Sequence, residues 1–157
     1  MNSTALSILL ADDDTDDCIF FKEAVEELRL PTQLSTLHDG EQLMQHLNNA
    51  VRTQNFASLP DVLFLDLNMP RKNGFECLSE IKGNQKLKEL PVIIFSTSFE
   101  QEVVNLLYKN GAQNFIRKPS EFSQFKKIIH QTITKLIAPQ NIPQQTRENF
   151  VLTVQAV

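Results

Sequence analysis

Five short apolar runs alternate along the chain with stretches in which apolar side chains recur every three or four positions. That alternation predicts parallel strands joined by crossover helices. The runs are Ser7 to Ala11, Gln33 to Leu37, Val62 to Leu67, Val92 to Ser96 and Asn114 to Arg117. Between them, Cys18, Phe21, Val25 and Leu28 give a first helix its apolar stripe, Leu43, Met44 and Leu47 a second, and Phe75, Leu78 and Ile81 a third. Two further helices carry Val103, Val104, Leu106 and Leu107, and then Phe122, Phe125, Ile128, Ile129, Ile133 and Leu136. The runs VLFLDL and VIIFS are apolar almost throughout, as central parallel strands covered on both faces require. The expected fold class is α/β, a doubly wound five-stranded parallel sheet with five helices.

Local punctuation agrees with these elements. Asn73 with Glu76, and Ser98 with Gln101, have the spacing of a capping box, Gly111 suits a left-handed helix stop, and Pro31 follows the first helix. Residues Asn48 to Pro60 read as a long polar connection. From Ala138 onward, Pro139 and Pro143 stand among glutamines and asparagines and end the last helix. The expected organisation is one domain over residues 5–137 with a tail or arm over 138–157. The end of that tail, Phe150 to Val157, is apolar enough to pack on this domain or on a neighbour, and a disordered end is the equal alternative.

The 157 residues, 41% hydrophobic and 22% charged, fit one ordinary globular domain. A net charge of −4 and a pI near 5.4 give neither nucleic acid nor an anionic membrane a reason to bind. No basic leader with an apolar stretch opens the chain, and no run approaches the roughly 18 apolar residues of a membrane span, so a cytoplasmic location is expected. Cys18 and Cys77 fall at apolar helix positions and read as packed thiols.

In an open parallel sheet, ligands bind beyond the carboxyl ends of the strands. The first strand ends in Asp12 and Asp13 and the third in Asp66, which brings three carboxylates to one edge. Held together they would repel one another and raise their pKa values unless a cation neutralised them, and a hard divalent ion, Mg2+ above all, suits that donor set. The fourth strand ends in Ser96 and the fifth in Lys118, placing a hydroxyl and an ammonium beside them. Together these residues suit phosphoryl chemistry: Asp66 attacks phosphorus to form an acyl phosphate, and Ser96 and Lys118 hold the transferred group. Singly they say less, since a serine at a strand end often caps a turn and a lone lysine is usually on the surface. Asp14, Asp16 and Asp17 read as helix caps and favourable charges at a helix N-terminus. His38, His46 and His130 show no ligand spacing and read as solvated.

These residues resemble the receiver domains of two-component response regulators, chemotaxis-regulator-like, over about Ala5 to Ile137. The acidic pair Asp12-Asp13, the segment DLNMPRKNG from Asp66, Ser96 in PVIIFSTS and Lys118 in RKP carry the resemblance. It implies a flavodoxin-like (βα)5 fold with strand order 2-1-3-4-5, and phosphorylation of Asp66 by a sensor histidine kinase. It further implies metal ligation by Asp13, Asp66 and Asn68, the last through its carbonyl, with Asp12 acting through water. Phe115 is implied as the aromatic that turns inward when Ser96 moves toward the phosphoryl group, Asn68 and Ser98 as positions that tune phosphoryl lifetime, and the Lys118-Pro119 bond as cis. The output would be binding to a downstream protein or a phosphotransfer protein, with a homodimer through the switch face or the arm a further expectation. The flavour is similar to single-domain regulators paired with bacterial phytochrome-type kinases.

Three rival readings are set against this one. An aspartyl-phosphate phosphatase or phosphotransferase acting on small molecules fits poorly, because haloacid-dehalogenase-type enzymes carry nucleophile and acid two residues apart, whereas here Leu67 and Asn68 follow Asp66. A flavin or nucleotide module lacks its Gly-rich phosphate loop in a chain with four glycines. A receiver that docks partners without being phosphorylated does not need the full acidic set. The expectation is therefore a phosphoacceptor and not a turnover enzyme.

Overall fold

In the computed structural model, which describes residues 5–138 and 146–154, the five apolar runs become strands whose successive side chains point to opposite faces. The elements are β1 (Leu6–Ala11), α1 (Thr15–Leu28), β2 (Thr32–Leu37), α2 (Gly40–Arg52), a short 3-10 turn at Phe56–Ser58, β3 (Val62–Leu65), α3 (Gly74–Lys82), β4 (Val92–Ser96), α4 (Gln101–Lys109), β5 (Asn114–Arg117), α5 (Phe122–Ile137) and β6 (Val151–Leu152). Ile8, Leu10, Val62, Phe64, Ile93 and Phe95 face α1 and α5. Their neighbours Leu9, Ala11, Leu63, Leu65, Val92 and Ile94 face α2, α3 and α4. Both faces are therefore dry, and the sheet is doubly wound as expected.

The strand count needs correction. The sheet has six parallel strands in the order β2-β1-β3-β4-β5-β6, one more than the five expected. The physical reason lies in the edge of β5, whose backbone groups need partners. The tail supplies them: the Phe115 amide donates to the Phe150 carbonyl at 2.9 Å, and the Asn114 side chain donates to the carbonyls of Asn149 and Phe150, each at 3.1 Å. Phe150 is 1% exposed, with its ring 5.3 Å from that of Tyr108. The described part of the tail, residues 146–154, thus packs on its own domain, while residues 139–145, with Pro139 and Pro143, and residues 155–157 lie outside the described residues.

Three boundaries also shift. Helix α2 continues to Arg52, because Ala50 and Val51 extend its buried stripe while Asn48 and Asn49 face water, so the polar connection is shorter than Asn48 to Pro60. Strand β3 stops at Leu65, leaving Asp66 just beyond it. The capping box at Asn73 and Glu76 is present, whereas Ser98 does not cap α4; its hydroxyl accepts from the Asn68 amide at 3.1 Å. Gly111 adopts the expected left-handed turn, φ 90°.

Removing a buried phenyl costs about 3–5 kcal/mol, and a short peripheral strand puts Phe150→Ala near the low end, about 3 kcal/mol. Urea unfolding should show a lower midpoint at unchanged slope. A loss below about 1 kcal/mol would mean that Phe150 is not seated on β5 in solution.

Candidate functional site

The hydrogen-bond ladder of the sheet runs one residue past three strands. Asp12 donates its amide to Leu37 (3.0 Å), Asp66 to Ala11 (3.0 Å) and Lys118 to Ser96 (2.8 Å), so the three backbones are fixed at one carboxyl edge. Helix α1 starts directly after the acidic pair. Asp14 caps it by accepting from the Asp17 amide at 3.0 Å, and the Asp14 amide in turn donates to the Asp12 carboxylate at 3.0 Å. Behind Asp66, the first turn of α3 comes so close that a Cβ on Gly74 would sit 2.3 Å from the Asp66 carbonyl oxygen. Only glycine permits that approach.

Carboxylate oxygens of Asp12, Asp13 and Asp66 lie within 4.8 Å of one another. Asp12 and Asp66 are buried and Asp13 is exposed, so the cluster has one open side. The Lys118 ammonium sits 2.7 Å from Asp12, 2.8 Å from Asp17 and 3.5 Å from Asp66, above the face of Phe95 at 5.4 Å from the ring centroid. Burial pushes the Asp12 carboxyl up to about 7, against which the bond and charge of Lys118 are insufficient. Burial works the other way on Lys118, yet its bonds to Asp12 and Asp17 and the charge of Asp66 outweigh it and hold the ammonium above its ordinary range. Burial thus sets the first shift and the surrounding carboxylates the second, and those carboxylates outnumber the one ammonium beside them. That donor set fits a hard divalent cation, which takes oxygen ligands and supplies the missing positive charge.

The structure brings Asp12, Asp13, Asp66 and Lys118 together. Ser96 is fully buried at the same edge, its hydroxyl accepting from the Ser98 amide at 3.4 Å. Asn68 lies next to them, its amide 3.4 Å from the Asp66 carboxylate. Phe115 is already inward, fully buried, with the Phe99 ring 5.7 Å away. The expected cis bond at Lys118-Pro119 is corrected: no peptide bond among the described residues is cis, and trans is intrinsically favoured by about 0.5–1 kcal/mol before proline.

Asp17 stands in the first turn of α1, as its reading as a helix charge requires, and it also pairs with Lys118. The available signal was its place in the first turn of a helix that begins beside the acidic pair. Of the histidines, His38 and His46 are exposed as expected and His130 is half-buried. His38 Nδ1 lies 3.3 Å from the Asp12 carbonyl and His130 Nε2 2.7 Å from that of Ala24, so both also touch backbone. Cys18 and Cys77 are free thiols, both raised to about 12 by burial.

Residues 8–130 match the response regulator receiver domain. The chain belongs to that family. Response regulator Rcp1 of Synechocystis sp. is 30% identical over 122 residues, covering 78% of this chain and 82% of that one. The crystal structure of the phosphorylated cyanobacterial phytochrome response regulator RcpA is similar at a TM-score of 0.79 and 31% identity, over 87% of this receiver chain and 96% of that chain. The Mn2+-bound form of Rcp1 is similar at a TM-score of 0.74 and 27% identity, over 89% and 99%. This receiver is thus a member of the response regulators of phosphorylation-dependent two-component signalling. No described helix of it is long and apolar enough to cross a membrane.

Asp12 holds its proton more tightly folded, at about 7, than at its ordinary value of 3.8. Its contribution to stability is complete below the lower value and is lost as the pH rises through the upper one. In metal-free buffer, the urea midpoint of Asp12→Asn should therefore gain on that of the wild type between pH 5 and 8. A constant difference across that range would contradict the shift.

Proposed function

We propose that this receiver is a phosphorylation-driven switch in which Asp66 accepts a phosphoryl group from the phosphohistidine of a sensor histidine kinase. The observation that carries the reading is the convergence of Lys118 on Asp12 and Asp66 at an edge where acidic oxygens outnumber cations. An oxygen of Asp66 attacks phosphorus, the phosphorus–nitrogen bond breaks, the imidazole departs, and an acyl phosphate remains on Asp66. Mg2+ would be held by Asp13 and Asp66, by the Asn68 carbonyl, and by Asp12 through water, and it supplies charge neutralisation at the phosphoryl oxygens. Ser96 and Lys118 bind those oxygens.

The new group adds roughly −1.5 to −2 charges in a confined space. Drawing Ser96 and Lys118 toward it changes the packing next to Phe115, and with it the surface formed by α4, β5 and α5. Because Phe115 starts buried, the change is a repacking inside the core. The receiver unit is residues 5–137 and residues 138–157 are an appended arm. The output is binding to a downstream protein or a phosphotransfer protein, without substrate turnover and without nucleic acid or membrane, and the two free thiols favour the cytoplasm. Similarity to the cyanobacterial phytochrome response regulator RcpA supports a phytochrome-type kinase as the donor.

Intact mass after incubation with acetyl phosphate and Mg2+ tests this. The wild type should gain one phosphoryl group and Asp66→Asn none. An unlabelled wild type, or equal labelling of the variant, contradicts the proposal.

A further inference from the structure

Lys118 is the ammonium that the proposed phosphoryl group needs, yet its two shortest bonds go elsewhere. Nζ is 2.7 Å from Asp12 and 2.8 Å from Asp17, but 3.5 Å from Asp66. Asp17 owes its reach to the backbone, since the Asp14 cap fixes its amide in the first turn of α1. The two strong partners differ in one respect that matters. The Asp12 side chain has no exposure, whereas that of Asp17 is 21% exposed. A carboxylate abandoned by its cation is costly where water cannot reach it and cheap where water can. Asp17 is therefore the partner that Lys118 can leave.

We propose that Asp17 is a positioning residue that holds Lys118 back from Asp66 in the resting state and releases it to an arriving phosphoryl group. The proposal rests on the phosphoacceptor reading above. It gives the amide variant Asp17→Asn two effects of the same sign. The resting state alone loses an ion pair, and one negative charge near the incoming anion disappears, so the loaded state gains in both respects. Asp16 separates the two effects, because it is exposed, neighbours Asp17 in the same turn and makes no ion pair with Lys118.

The experiment is a titration of the full chain with beryllofluoride, a phosphoryl mimic, in Mg2+ and followed by fluorine NMR. Asp17→Asn should bind roughly fivefold tighter than wild type, Asp16→Asn within about twofold of it, and Asp17→Glu, which keeps the charge and the reach, close to wild type. Equal affinity of Asp17→Asn and wild type overturns the proposal, as does an equal gain in Asp16→Asn, which would make the effect general charge. Failure of all four proteins to bind, together with no labelling by acetyl phosphate, overturns the phosphoacceptor reading itself, whereas binding by all with equal affinity overturns only the role of Asp17.

Discussion

Three carboxylates, those of Asp12, Asp17 and Asp66, surround the single ammonium of Lys118 at the carboxyl edge of the sheet, with that of Asp13 beside Asp12 and Asp66, and this imbalance governs the rest of the site. Water would relieve it cheaply, but Asp12 and Asp66 are buried. The excess charge therefore stays as a standing demand for cations, visible in the lysine held protonated by its carboxylate neighbours, while burial raises the Asp12 carboxyl. A site built this way is primed for ligands that bring positive charge and for reactions that redistribute negative charge.

The fold tolerates the demand because the strands beneath it are over-determined. Residues alternate between two packed faces along β1, β3 and β4, so a shift of one residue would send each row to the opposite face and break the packing of both clusters. The ladder bonds beyond the strand ends then carry that register to Asp12, Asp66 and Lys118. Phe95 lies under the lysine ammonium and packs edge to face with Phe21 and Phe125, and Phe21 in turn with Phe64, which makes that ring a rigid floor. Repulsion among carboxylates is opposed by the whole hydrophobic sandwich and not by local contacts alone.

The parts legible in the sequence were those whose signal repeats. Strand runs such as VLFLDL, helix stripes such as Phe125 to Ile133, and the strand-end positions of Asp12, Asp66, Ser96 and Lys118 all follow from periodicity plus the rule that ligands sit at carboxyl ends. Features resting on one or two residues were not legible. Strand β6 spans only Val151 and Leu152, too short for any period, and is placed by the unsatisfied edge of β5. The α2 extension hid behind Asn48 and Asn49, whose polarity looked like loop and proved to be a solvated face. Asp17 belongs with these, since nothing in a run of acids says which member will meet a lysine more than a hundred positions away.

The tail changes what a repacking at Phe115 can mean. In a five-stranded sheet, β5 would be an open edge and its residues would be restrained on one side only. Here the Phe115 amide is bonded to the Phe150 carbonyl, and the two side chains share one core cluster with Val104 and Leu107 of α4. Arg147 adds a second tie, donating to Asn105 at 3.0 Å and lying over the ring of Tyr108. Any displacement of Phe115 must therefore be shared among β5, α4 and the tail, because a close-packed interior transmits a shift and does not absorb it. The tail runs alongside a strand of four residues whose carboxyl end carries Lys118, and that strand is the mechanical link between tail and site.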